Sequence, residues 1–228
     1  MADDNGNNVA PGPTPYTMDG PMELADNRVA DYTALKDFTV LIVEDEIDII
    51  RAARTAFEKH GTEVIPIDPR HSSNPTYMTG KFNQVREGRR AVAFVDFDYT
   101  ERTIPSTSRI DGSLVDNPLQ LDGSDVVASI DASRTRKVPG YDRLEAICVR
   151  TSYAAQINPE SPHVNFARAA TLPVHGLAKS GDYGTQGVDW LALYASGNAE
   201  KPLNEAHLER IRSTKANRGK RLLDRVEE

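Results

Sequence analysis

Thr39-Val40-Leu41-Ile42-Val43-Glu44-Asp45-Glu46 is a short, unbroken apolar run, rich in β-branched residues and closed by three consecutive acids. A run of this length without polar alternation reads as a strand covered on both faces, the kind found inside a parallel sheet. The next stretch has a different period. Ile47, Ile50, Ala53 and Phe57 recur at helical spacing, and Gly61 after His60 supplies a stop. A second short strand comes next, at Glu63–Ile67.

The same alternation continues down the chain. A polar loop over 68–76 leads to a helix over 77–87, closed by Gly88. Ala91-Val92-Ala93-Phe94-Val95 is a buried strand ending at Asp96. A helix is expected from near Ser124, a strand at Ala146-Ile147-Cys148-Val149, and a helix over 163–170. A final strand runs from Val174 to Ala178 and ends at Lys179, and a helix carries Val188, Leu191, Leu193 and Ala195. Five strand–helix alternations predict an α/β domain, a doubly wound five-stranded parallel sheet. Residues 99–121 have no clear period and read as an insertion after the third strand, placed to gate access to its end.

The ends of the chain differ from its middle. Residues 1–21 are rich in Asn, Asp, Gly and Pro and are expected to be disordered, and 22–36 have weak helical character. The division predicted is an N-terminal arm over 1–37, disordered or partly helical, a folded domain over 38–197, and a helical C-terminal tail over 198–228. Between 210 and 225 lie seven basic residues and one acid, a segment of charge +6 that leaves −13 for the rest of a chain of net charge −7. A solvated helix face explains that segment, and so does docking to an acidic partner.

Composition narrows the classes of function. The chain has 228 residues, 39% hydrophobic and 27% charged, with a mean hydropathy of −0.51. Its acidic balance disfavours general polyanion binding. The one cysteine, Cys148, excludes a disulfide framework and a cysteine-based zinc site. No apolar stretch approaches the ~20 residues of a membrane helix. With no basic, apolar leader at the start, the expectation is a cytoplasmic protein without membrane insertion. The tail is too short for a folded DNA-binding module.

In an open α/β sheet, functional groups collect at the carboxyl ends of the strands. Here those ends present Glu44, Asp45 and Glu46, then Asp96 and Asp98, then Thr151 and Ser152, then Lys179. Clustered carboxylate oxygens suit Mg²⁺. A carboxylate is also a competent nucleophile toward phosphorus, and a lysine and a hydroxyl can neutralise phosphoryl oxygens.

With those residues in order, the chain resembles a response-regulator receiver domain of two-component signalling. The resemblance rests on Val40–Glu46, then Phe94-Val95-Asp96, Leu121-Asp122-Gly123, Val149-Arg150-Thr151-Ser152 and Gly176-Leu177-Ala178-Lys179, and spans roughly 38–197. It implies the flavodoxin-like receiver fold and an Asp96 that accepts a phosphoryl group in a phosphorelay. It implies Mg²⁺ bound by Asp45 with Glu44 assisting, by Asp96, and by the carbonyl of Asp98. Thr151 would bond the phosphoryl group and Lys179 would pair with it. The implied partners are a sensor histidine kinase or phosphotransfer protein and an unidentified output protein, with homodimer formation an option. The chain departs from the family at Ser180, where a proline usually follows the lysine, and at Gly176, where an aromatic switch residue usually stands.

Two rivals stay open on sequence. Asp96-Phe97-Asp98-Tyr99-Thr100 is similar to the nucleophile motif of haloacid-dehalogenase-like phosphatases. There Asp96 would be nucleophile and Asp98 acid/base, Thr151 and Lys179 would supply the next two motifs, and Asp182 with Asp189 would form the last acidic motif. The other rival is a receiver-like binding module that is not phosphorylated.

Overall fold

The computed structural model describes residues 30–72, 74–97, 99, 122–136, 138–152, 157–158, 164–179 and 183–224, with only the backbone of 216–224. The predicted arm up to residue 29, Asp98, Ser180, Asp182 and the insertion from residue 100 to 121 lie outside the described residues.

Strands β1 (Phe38–Val43), β2 (Glu63–Ile67), β3 (Arg90–Asp96), β4 (Leu144–Thr151) and β5 (Val174–Ala178) form one five-stranded sheet of order β2-β1-β3-β4-β5. Every adjacent pair is parallel. This is the flavodoxin-like winding, whose order reverses between β1 and β3. β1 is central, so all six of its residues are buried, and an unbroken apolar run is what such a position requires. β3 is buried from Ala91 to Asp96 for the same reason.

The helices are α1 (Ile47–Glu58), α2 (Pro75–Phe82), α3 (Gly123–Thr135), α4 (Asn165–Arg168), α5 (Tyr183–Ala195) and α6 (Glu205–Asp224). On one face of the sheet, Ile50, Ala53 and Phe57 of α1 and Val188, Trp190, Leu191 and Ala192 of α5 close over Val40, Ile42, Phe94 and Cys148. On the other face, Met78 and Phe82 of α2, Val126, Val127 and Ile130 of α3 and Ala167 of α4 close over Leu41, Ala93, Val95, Ile147 and Val149.

Two helices are shorter than their sequence pattern. α2 begins at Pro75 because the Asn74 side chain accepts from the N–H groups of Thr76 and Tyr77, with proline in the first turn. It ends at Phe82, where Gln84 and Val85 bond three residues back instead of four. α4 spans four residues rather than the expected 163–170. Beyond it, Asp131 Oδ1 accepts from the N–H groups of Thr171 and Leu172.

Both flanks of the domain are tied down. From residue 30 the chain packs on the α1/α5 face. Leu35 is fully buried, its carbonyl accepts from Thr62 Oγ1, and Tyr32 donates to Asp189 at 2.7 Å. After α5, Leu203 N–H donates to Val174 O beside β5. The buried Asn204 accepts from Val174 N–H and donates to Ala170 O and Leu172 O. α6 therefore starts from a fixed point, and Arg210, Arg212 and Lys215 on it are exposed.

The excursion after β3 leaves and returns at one place. Gly123 N–H donates to Phe97 O at 3.2 Å, and a Cβ on Gly123 would lie 2.6 Å from Phe97 Cα. Asp122 and Asp125 then form a capping box that starts α3. Gly123→Ala should therefore destabilise the domain by about 1–3 kcal/mol, the usual range for overpacking, read from denaturant unfolding.

His175 on β5 is buried among the rings of Trp190 and Tyr194 on α5. Burial pulls its pKa down to about 4. The native state thus holds a neutral imidazole, while the unfolded chain protonates near pH 6.5. Stability should fall as pH drops from about 6.5 to about 4, by at most about 3 kcal/mol from this group. His175→Phe should flatten that slope in pH-dependent unfolding.

Candidate phosphoryl-acceptor site

Three strand ends at the carboxyl edge of the sheet supply the site. Side chains two residues apart along a strand share a face. Ile42 and Phe94 both face the α1/α5 core, so Glu44 just beyond β1 and Asp96 at the end of β3 reach the carboxyl edge on that same side. Glu44 is fully buried and Asp96 is 2% exposed. Lys179, just past β5, reaches across β4 and places Nζ 2.6 Å from Asp96 Oδ1. Its position is set by its own backbone, since Lys179 N–H donates to Thr151 O at 2.8 Å.

Glu44 organises the turn after β1. Its Oε1 accepts from the N–H groups of Asp45 at 2.9 Å and Glu46 at 3.1 Å. Burial first, and the neighbouring Asp96 carboxylate second, push its carboxyl up to about 10. Protonated, Glu44 can donate to Asp96; ionised, its buried Oε2 has no donor among the described residues. Asp45 is half-buried beside it.

A buried carboxylate oxygen facing two further carboxylates is the donor chemistry of a hard divalent cation. Among the described residues no three His, Cys, Asp or Glu side chains form a ready metal cage, so an ion held here would keep several waters, as Mg²⁺ does.

Of the residues expected at the site, Glu44, Asp45, Asp96 and Lys179 are brought together. Thr151 is the buried last residue of β4, one step beyond the Asp96–Arg150 register pair. Asp98 lies outside the described residues.

Two groups escaped the sequence reading. One is Arg150, buried in register with Asp96. Its signal was a charge at the end of an apolar run, two residues after Cys148 and so on the same face. The other closes the β2 side. Asp68 is fully buried and takes Arg70 Nη2 at 2.6 Å and Nε at 2.9 Å, while its N–H donates to the Tyr77 hydroxyl.

The glycine at the aromatic position also has a structural partner. A Cβ on Gly176 would lie 2.5 Å from Ile157 Cβ, so Ile157, from the loop after β4, occupies the space above β5.

No family model and no curated protein matches the chain. Among solved structures it is similar to a CheY-like response regulator receiver domain protein from Methanospirillum hungatei, with 15% identity over 71% of this chain and 98% of that one, at a TM-score of 0.39. It is similar to the phosphorylated cyanobacterial phytochrome response regulator RcpA, with 16% identity over 72% and 97%, at 0.42. The response regulator TrrA from Thermotoga maritima, solved with Mg²⁺ and BeF, gives 16% over 68% and 97%, at 0.39. The fold itself is read from strand order: five parallel strands in the flavodoxin-like order β2-β1-β3-β4-β5, flanked by helices.

The Asp96–Lys179 pair is desolvated on the carboxylate side, where the Asp96 side chain is 3% exposed. Removing one partner of such a pair costs about 3–5 kcal/mol when it is fully buried, and less here because the Lys179 side chain is 18% exposed. Lys179→Met should therefore lose about 2 kcal/mol, and adding Asp96→Asn should restore most of it. A double-mutant cycle in urea checks the coupling.

Proposed function

We propose that this protein is a phosphorelay receiver in which Asp96 accepts a phosphoryl group. The observation that carries the reading is the 2.6 Å Lys179–Asp96 contact at the carboxyl edge of the sheet, beside Glu44 and Asp45.

An Asp96 carboxylate oxygen attacks the phosphorus of a phosphohistidine. The N–P bond breaks, and its electron pair stays on the imidazole nitrogen. Lys179, already against Asp96, takes up the charge that moves onto the phosphoryl oxygens. Thr151, next along the edge, donates its hydroxyl to one of them. Glu44 and Asp45, with Asp96 and the Asp98 carbonyl, would hold Mg²⁺, which when bound neutralises phosphoryl charge. Return to the resting state is hydrolysis: water attacks phosphorus and the Asp96 carboxylate leaves.

The donor is a sensor histidine kinase or a phosphotransfer protein, and the signal passes on through protein contacts in the cytoplasm. Among the described residues no helix is long and apolar enough to cross a membrane.

The phosphatase alternative has less support. α5 begins at Tyr183, which leaves no room for a strand between Lys179 and Asp182. Asp189 is on α5, bonded to the Tyr32 hydroxyl.

Incubation with acetyl phosphate and Mg²⁺ should give an acid- and base-labile label on a phosphate-affinity gel. Asp96→Asn should abolish it without loss of fold, because the change is nearly isosteric. Equal labelling of Asp96→Asn, or turnover of a generic phosphate ester by the unaltered protein, overturns the reading.

A further inference from the structure

We propose that Arg150 is a second phosphoryl-binding cation of this site, working beside Lys179. This role rests on Asp96 being the acceptor.

The sheet sets the geometry. β3 and β4 pair so that Asp96 lies opposite Arg150, and Phe97 N–H donates to Arg150 O at 2.9 Å. Paired residues on adjacent parallel strands are about 4.8 Å apart and project to one face. That face is the α1/α5 side, since Cys148, two residues before Arg150, belongs to that core. Glu44, Asp96 and Arg150 thus make a row across three adjacent strands, β1, β3 and β4, at their carboxyl ends.

The residue type points the same way. Arg150 is 6% exposed at the end of the buried run Ala146–Val149. A purely structural strand end at that depth would take another aliphatic side chain, because desolvating a guanidinium costs several kcal/mol unless anions compensate it. The acidic row beside it supplies anions in the resting protein, and phosphorylation adds one more negative charge at its register partner.

The guanidinium also matches the ligand. Lys179 is a point charge on one oxygen of Asp96. A phosphoryl group presents three oxygens spread in space, and a guanidinium meets two of them with a planar fork. Arg150 already has an interaction in the folded protein. With acetyl phosphate as donor, an Asp96 oxygen attacks phosphorus, the P–O bond to acetate breaks, and acetate leaves with the electron pair. Arg150 keeps its proton throughout and donates hydrogen bonds only.

A cation in this position acts oppositely on the two ligands of the site. It attracts the phosphoryl anion and repels a divalent cation at Glu44 and Asp45. A merely structural arginine would move both affinities in the same direction.

The test uses the full chain, its Asp96→Asn variant, Arg150→Gln and Arg150→Lys. Mg²⁺ alone and beryllofluoride at saturating Mg²⁺ are titrated by calorimetry, and labelling by acetyl phosphate is timed. Arg150→Gln should bind beryllofluoride about 10-fold more weakly, take label about 10-fold more slowly, and bind Mg²⁺ a few-fold more tightly. Arg150→Lys, which keeps the charge and the fold, should recover most of the beryllofluoride affinity. Unchanged anion binding in both variants, or parallel loss of anion and Mg²⁺ binding, overturns the proposal while Asp96 still labels. If the unaltered protein takes no label that Asp96→Asn removes, the acceptor reading falls and Arg150's role falls with it.

Discussion

The contact between Lys179 and Asp96 joins the end of the fifth strand to the end of the third, across a fourth that lies between them. It holds only if all three strands finish at the same level. The parallel register delivers that: Asp96 is level with Arg150, Arg150 with Leu177, and Lys179 is anchored by its N–H on Thr151 O. Around this contact the remaining acids make sense. Glu44 and Asp96 share one buried corner, and burial of two carboxylates is tolerable only with a proton, a cation or both in the same place.

The rest of the architecture serves to dry and fix that corner. The α1/α5 layer covers the face on which Glu44, Asp96 and Arg150 project, and the segment from residue 32 packs Leu35 into the same core. On the β2 side, the Asp68–Arg70 pair ends the row with a neutralised carboxylate, so no further free negative charge is added to the corner. On the β5 side, Asn204 and Leu203 bind the strand to the start of α6.

Two close approaches of backbone and side chain shape the surroundings of this corner. The Phe97 and Gly123 backbones touch, so the end of β3 and the start of α3 lie side by side. The slot over Gly176 is filled from another element, by Ile157. A β5 side chain in that slot would move with β5, whereas Ile157 belongs to the loop after Thr151.

The strand cores were legible from sequence because a parallel sheet covered on both faces demands apolar runs, and Thr39–Val43, Ala91–Val95 and Ala146–Val149 satisfy no other local pattern as well. Glu44, Asp45, Asp96 and Lys179 stood out as strand-end polar groups because each follows an apolar run closely. Helix lengths were not legible for α2 and α4: α2 starts at the Asn74 cap and gives way to three-residue bonds after Phe82, and α4 spans only Asn165–Arg168. Arg150 was hidden for a related reason: from sequence it is one charge beside Thr151, and only the β3–β4 register sets it level with Asp96. Periodicity decides which face of a strand a residue occupies. Which residue of a distant strand lies level with it is decided by hydrogen-bond register between strands, and that exists only in the assembled sheet.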